Sequence, residues 1–241
     1  ALKDEGINEA IMEIYSPVRT NGIAGKLGLI PGMSLDLTEV DPDDGQPWDF
    51  NNPKKRAKAM DLVLGKHALL IVGSPMCRSF SRLQQWNFKR MDPAKRDAMI
   101  EEGRKHLKFC MTLYKIQHEN GMYFLHEHPY SASSWKTPEV QEILGLEGVR
   151  MVKGDMCAFG MYQDTEEGRK LVMKPTGFMT NASEIADELK QTCDGQHTHV
   201  KLLNGRARRA EVYPDELCYH IVQGLMKQMK KDGRISEGQI G

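Results

Sequence analysis

Ala68-Leu69-Leu70-Ile71-Val72, followed directly by Gly73-Ser74-Pro75-Met76-Cys77-Arg78-Ser79-Phe80-Ser81, opens the reading of the fold. Five apolar residues without alternation fit a strand buried on both faces. The Gly/Ser/Pro segment after it cannot continue a strand and reads as a loop. Outward in both directions, short apolar runs alternate with amphipathic stretches. Upstream, Ile11–Tyr15 and Met33–Leu37 are strand candidates, separated by a helix near Gly22–Leu27. An acidic, turn-rich loop follows at Asp41–Gly45. The segment 54–64 reads as a helix, with Ala57, Met60, Asp61 and Leu64 on one side and Lys54, Lys55 and Lys58 on others.

Downstream, Asp92-Pro93 opens a long helix, with an N-cap acid and a proline in the first turn. Leu107, Cys110, Met111 and Tyr114 share one stripe of it, and Asn120-Gly121 closes it with the residue preferred for a left-handed cap. Met122–Leu125 and Val149–Val152 are further strands, flanking a short helix at Glu139–Leu144. A last helix runs from Pro214 to about Lys231. Strands joined by helical crossovers predict a doubly wound, mostly parallel α/β sheet of Rossmann-like type. After about residue 154 the pattern loosens into short strands and loops. The expected division is a main domain at 1–160, a small second region at 161–209, and a C-terminal helix and tail at 210–241.

The 241 residues carry 33 basic and 33 acidic side chains, a formal net charge of zero, which speaks against a wholly electrostatic nucleic-acid binder. Hydrophobic residues at 40% and charged residues at 27% suit a globular chain. No apolar run approaches the roughly 18 residues that a membrane span needs. Five scattered cysteines do not resemble a disulfide framework. The expected setting is therefore intracellular: nuclear in a eukaryote, cytoplasmic in a phage or bacterium. A monomer is expected, or a part of a larger polyprotein or complex, with no membrane partner.

Ligands in such folds bind beyond the carboxyl ends of the strands. Ser16-Pro17, Asp36, the 73–81 loop and His126-Glu127-His128 all fall at that rim. Cys77, on a loop after a buried strand and beside Arg78 and Arg82, is a candidate nucleophile; the alternative is a buried, inert thiol. Glu127 at a strand end is a candidate acid, since burial would raise its pKa. Asp36 suits the hydroxyls of a cofactor ribose, and Asp49 an adenine amino group; either could equally be a turn residue. The segment from Ser16 to Gly22 is no G-x-G-x-x-G, which argues against a dinucleotide but not against a cofactor without phosphate, such as S-adenosylmethionine. Lys201, Arg206, Arg208 and Arg209 form a basic patch suited to phosphates. His126 and His128, taken with Cys193, His197 and His199, also admit a metal site, although the spacing is that of no standard finger.

Taken in order, these segments resemble the DNA cytosine-5 methyltransferases, especially compact phage and retroelement members. The 73–81 loop is similar to the family's nucleophile loop, with Met76 where a proline is usual. Glu127 resembles the glutamate of its Glu-Asn-Val motif, and Glu13-Ile14-Tyr15-Ser16-Pro17 stands where the family has Asp-Leu-Phe-x-Gly. Cys157-Ala158-Phe159-Gly160, then Lys174-Pro175-Thr176 and Asn181, is similar to the segment bearing a basic residue beside the catalytic loop. The resemblance implies a class I S-adenosylmethionine-dependent fold, methyl transfer to cytosine carbon 5 in flipped-out DNA, and a small target-recognition region at 161–209. It implies catalytic roles for Cys77, Glu127 and Lys174, and cofactor contacts from Tyr15, Ser16, Pro17, Asp36, Leu37, Asp49, Phe50, Ser74 and Pro75. DNA contacts are implied for Arg78, Ser81, Arg82, Arg206, Arg208 and Arg209, with the polar stretch 78–92 able to close over the base. No metal is required by this reading. The alternatives are a catalytically altered relative, one acting on another nucleic acid, or a metal hydrolase built on the His/Cys cluster.

Overall fold

The computed structural model describes residues 6–65, 67–200 and 212–235. A six-stranded sheet in the order β2-β1-β3-β4-β8-β5 forms the centre. Its strands are β1 (Glu9–Ile14), β2 (Ser34–Leu35), β3 (Ala68–Gly73), β4 (Tyr123–Pro129), β5 (Arg150–Asp155) and β8 (Pro175–Thr180). β1 to β4 pair in parallel, whereas β8 lies antiparallel between β4 and β5. A second sheet joins β6 (Tyr162–Thr165), β7 (Gly168–Val172) and β9 (His199–Val200). The architecture is α/β with flanking helices, compatible with a Rossmann-like fold.

Every residue of β3 is buried, as its unbroken apolar run requires. One face of the sheet is covered by α1 (Thr20–Lys26), α6 (Ser183–Leu189) and α7 (Asp215–Lys231), which pack Ile185, Leu217 and Ile221 with Ile11 and Val72. The other is covered by α2 (Pro53–Leu64), α4 (Pro93–Glu119) and α5 (Pro138–Leu144), which pack Val63, Leu113 and Ile143 with Met12, Ile14 and Ile71. α4 begins where expected, Asp92 accepting from the Lys95 N–H at 3.1 Å, and ends before Gly121 at φ 70°. α6 and α7 come so close that a Cβ on Gly224 would lie 2.7 Å from the Ile185 Cα. No helix among the described residues is long and apolar enough to cross a membrane.

Three expectations change. The strand at Met122–Leu125 continues to Pro129, so His126, Glu127 and His128 lie within β4 rather than after it, because β8 supplies pairing partners as far as Thr176. Residues 175–189 of the expected recognition region belong to the main sheet and its helical layer. The buried face of α2 carries Lys55, Ala59 and Val63, while Leu64 is 56% exposed. That rotation is set by Asp41. Its fully buried carboxylate accepts from Lys55 Nζ and Lys58 Nζ, both at 2.6 Å.

Glu9 is buried on β1 with Oε1 3.2 Å from His67 Nε2. Burial pushes its carboxyl up from 4.5 to about 7, and lowers the His67 pKa, so the pair gains little from ionising. A raised carboxyl pKa means the folded state holds the proton longer than the unfolded one. Stability is then full below about 4.5 and declines until about pH 7, where the loss levels off. Glu9→Gln should remove this dependence and gain about 3 kcal/mol over wild type between pH 4 and pH 8. Denaturation curves across that range check it; parallel pH profiles would refute it.

Candidate functional site

The chain leaves β1, crosses through α1 to β2 on one side, and then crosses through α2 to β3 on the other. A crevice therefore opens between the carboxyl ends of β1 and β3, where open α/β sheets bind ligands. A cavity of about 260 Å³ lies there. Its walls are Tyr15, Ser16, Pro17 and Arg19 after β1, Asp36 and Thr38 after β2, Ser74 after β3, and Val212 and Tyr213 before α7.

The turn after β1 is held without a glycine fingerprint. The buried Glu13 carboxylate accepts from the backbone N–H groups of Arg19, Thr20 and Asn21, at 3.2, 2.7 and 3.2 Å, and from Ser34 Oγ at 2.8 Å. It does for this turn what backbone compactness does in a glycine-rich one. Tyr15 sits above it at φ 60°, a strained conformation for a tyrosine. Burial keeps its phenol protonated and lowers the His106 pKa, and the hydroxyl shares a hydrogen bond with His106 Nδ1 at 2.7 Å.

The loop after β3 is fixed from β4. Pairing of β3 with β4 ends at Gly73 and His126, so Glu127 and His128 extend past the end of β3. His128 is buried and its pKa is lowered by that burial. As neutral imidazole it donates from Nε2 to the Pro75 carbonyl at 2.9 Å, while Nδ1 accepts from Ser134 Oγ at 2.7 Å. Gly73 makes room for Tyr114, since a Cβ there would lie 2.0 Å from the hydroxyl that shares a hydrogen bond with His126 Nδ1 at 3.2 Å. Two residues beyond Pro75, Cys77 is half-buried and precedes a 3-10 turn at Arg78–Phe80, whose Phe80 N–H reaches the Cys77 carbonyl at 3.0 Å.

Glu127 points to the opposite face of β4 from its two histidine neighbours. Its carboxylate is buried, with Lys174 Nζ 3.6 Å from Oε1. Oε2 accepts from the Tyr213 hydroxyl at 3.3 Å, and Tyr213 in turn bonds Ser74 Oγ. Oε1 has no hydrogen-bond partner among the described residues. With the Lys174 ammonium nearby, this oxygen retains the capacity to accept a hydrogen bond. A line of contacts thus joins Glu127 to the loop that carries Cys77.

Several expected site residues stand elsewhere. Asp36 lines the cavity, although its Oδ2 accepts from Thr38 N–H and Oγ1 at 3.1 and 2.8 Å. Asp49 closes its own turn by accepting from the Asn51 N–H at 2.9 Å, and does not line the cavity. Phe50 is core, packed on Tyr15 with ring centroids 4.9 Å apart, and Leu37 points to solvent at 62% exposure. Pro75 is buried behind the cavity wall and contributes its carbonyl to His128. The stretch 78–92 is no open loop: α3 (Arg82–Phe88) occupies it and anchors Phe88 in the interior. Ser81 caps α3 by accepting from the Gln84 N–H at 3.2 Å, with Arg78 and Arg82 exposed beside it. Arg206, Arg208 and Arg209 lie outside the described residues. Asn181 is structural, bridging the Phe124 N–H and the Met122 carbonyl far from the rim.

Tyr213, Arg19 and Thr38 complete the cavity without a signal in the sequence, since isolated residues of these types are ordinary surface chemistry. Trp86 stands 68% exposed on α3, which no pattern in the sequence singles out. The His126-x-His128 pair is no ligand set: both nitrogens of His128 are engaged, and His126 is buried against Tyr114 with a pKa far below the ordinary value. No disulfide joins the cysteines. Burial pushes Cys110 and Cys218 up to about 12, which makes them inert. No protein-family model matches the chain, and no curated protein is significantly similar to it.

Proposed function

We propose that the protein transfers a methyl group to carbon 5 of cytosine in DNA, with S-adenosylmethionine as donor. The observation that carries this reading is the half-satisfied Glu127 carboxylate, beside Lys174 and linked through Tyr213 and Ser74, two walls of the switch-point cavity, to the loop that carries Cys77. The donor set suits the cofactor: a carboxylate at Asp36 for ribose hydroxyls, small polar groups at Ser16 and Ser74, and an aromatic wall from Tyr15 and Tyr213. The group bound there supplies an electrophilic methyl on a sulfonium.

The target base must leave the duplex to reach this depth. Cys77, as thiolate, adds through Sγ to carbon 6, and the pair of electrons displaced from the 5–6 double bond makes carbon 5 nucleophilic. The Glu127 carboxylate accepts from the amino group through Oε1, and a proton taken up from water is held between the carboxylate and ring nitrogen 3, where it offsets the charge that develops there. Lys174 keeps the carboxyl oriented and offsets its charge before the base arrives. Carbon 5 takes the methyl group. Loss of the carbon 5 proton to water then restores the 5–6 double bond, breaks the Sγ–carbon 6 bond and releases Cys77 as thiolate, while nitrogen 3 gives its proton back. His128, by fixing the Pro75 carbonyl, positions the nucleophile loop.

The test is incubation with methyl-labelled S-adenosylmethionine and DNA, followed by base analysis. Label in 5-methylcytosine is expected; label in another base, or none, overturns the proposal. Asp36→Ala should weaken cofactor binding roughly tenfold to hundredfold, the about 1.5–3 kcal/mol of a hydrogen bond to a charged group, with less effect on turnover at saturation. Calorimetric titration reads the affinity, and an unchanged value removes Asp36 from the cofactor site.

A further inference from the structure

Cys157, Cys193, His197 and His199 bring one ligand atom each within 4.8 Å of one another. Cys193 Sγ lies 3.5 Å from both His197 Nε2 and His199 Nε2, and the two Nε2 atoms are 2.9 Å apart. With zinc–sulfur bonds of about 2.3 Å and zinc–nitrogen bonds of about 2.0–2.1 Å, a tetrahedron has sulfur–nitrogen edges of roughly 3.6 Å and nitrogen–nitrogen edges of roughly 3.3 Å. The two sulfur–nitrogen edges agree with this and the nitrogen–nitrogen edge is tighter, and from this convergence of four ligand atoms we infer a structural zinc site formed by these four residues, replacing the His126 and His128 set with Cys157.

The surroundings fit a thiolate–imidazole centre. His197 Nδ1 stands 3.3 Å from Asp194 Oδ1. A proton held there leaves Nε2 as a bare lone pair aimed at the centre, the arrangement that carboxylates impose on metal-binding histidines. The Gly195 N–H points at Cys193 Sγ at 3.3 Å, a contact that favours the thiolate. The Cys193 N–H donates to Asp155 Oδ2 at 2.9 Å, tying the ligand loop to the end of β5. Two thiolates would neutralise the divalent charge. Four protein ligands leave no open position, so the metal is structural and takes no part in catalysis.

The ligands come from separate parts of the fold. Cys157 sits on the 3-10 turn Met156–Phe159 after β5 of the main sheet, and His199 on β9 of the small sheet. Cys193 and His197 lie on the chain between α6 and β9. A metal here clamps the small sheet to the main one, two residues before Lys201 and the basic segment.

Protein purified under reducing conditions without chelator should contain one zinc per chain by elemental mass spectrometry. Cys193→Ser and His199→Ala should lose it, while Cys77→Ala keeps it. That control makes the result independent of the methyltransferase reading. Cobalt(II) added to the metal-stripped wild-type chain should give tetrahedral ligand-field bands and thiolate-to-cobalt charge transfer. This measurement decides the matter even where a variant fails to fold. Wild-type protein lacking stoichiometric metal and giving no such spectrum overturns the inference, as does a Cys157–Cys193 disulfide found in its place. Metal retained by a folded Cys193→Ser variant also overturns it.

Discussion

Replacing Cys77 with alanine should lower methyl transfer to DNA by roughly four orders of magnitude or more, and leave the fold intact. The size follows from the chemistry. Carbon 5 of cytosine has no useful nucleophilicity until a group adds at carbon 6, and no other thiol is placed to add. Cys110 and Cys218 are buried with thiols held protonated, and Cys157 and Cys193 belong to the cluster beside the small sheet. The fold should survive because Cys77 is half-buried on a loop held by its neighbours, through the His128–Pro75 bond and the buried Phe80. DNA containing 5-fluorocytosine blocks the release of the adduct, since fluorine at carbon 5 cannot leave as a proton does. A covalent complex stable on a denaturing gel should form with wild type and be absent with Cys77→Ala. An adduct that persists in the alanine variant would move the nucleophile elsewhere.

The second large effect is on stability. Asp41→Ala should cost about 3–5 kcal/mol, the usual penalty for removing one partner of a buried ion pair. Lys55 is almost fully buried, with Nζ 2.6 Å from Asp41 and 2.7 Å from the more exposed Asp44, and it lies 4.9 Å from the centroid of the buried Trp48 ring. Without Asp41 that ammonium keeps only a solvent-facing partner. The lysines hold the Asp41 carboxyl down at about 2, so its contribution is full above the ordinary 3.8 and disappears as pH falls through about 2. Asp41→Leu with Lys55→Met should recover most of the loss, because an apolar pair has no charge left stranded. Denaturant titration of the two proteins reads both values. A loss below about 1 kcal/mol for the single change would make the cluster a surface feature.

Parts of the site were legible from local pattern. The unbroken apolar run at 68–72, the Asp92-Pro93 start and the Gly121 end are dictated by nearest neighbours, and the chain obeys them. The order of strands and helices placed Ser16, Asp36 and Ser74 at one rim, and the cavity gathers them there. Asp49 is ambiguous in sequence because an acid in a turn looks the same whether it faces a ligand or caps its own backbone, and the exposure of Leu37 depends on packing that its neighbours do not encode. The burial of Lys55 is hidden from helical periodicity, which treats every lysine as solvated, and only a partner 14 residues away in a separate loop makes it tolerable.

Local periodicity, turn chemistry and composition determined the strand–helix alternation, because each depends on residues within a few positions along the chain. Tertiary structure decided the rest. The insertion of β8 between β4 and β5 extends the strand under Glu127 with pairing that no local pattern encodes. The contact of Tyr213 with Glu127 spans 86 positions, and the cluster of Cys157 with Cys193 and the two histidines joins two sheets. Such contacts depend on where whole elements pack, since burial and hydrogen-bond satisfaction are settled by the assembled core and not by the segment that supplies the side chain.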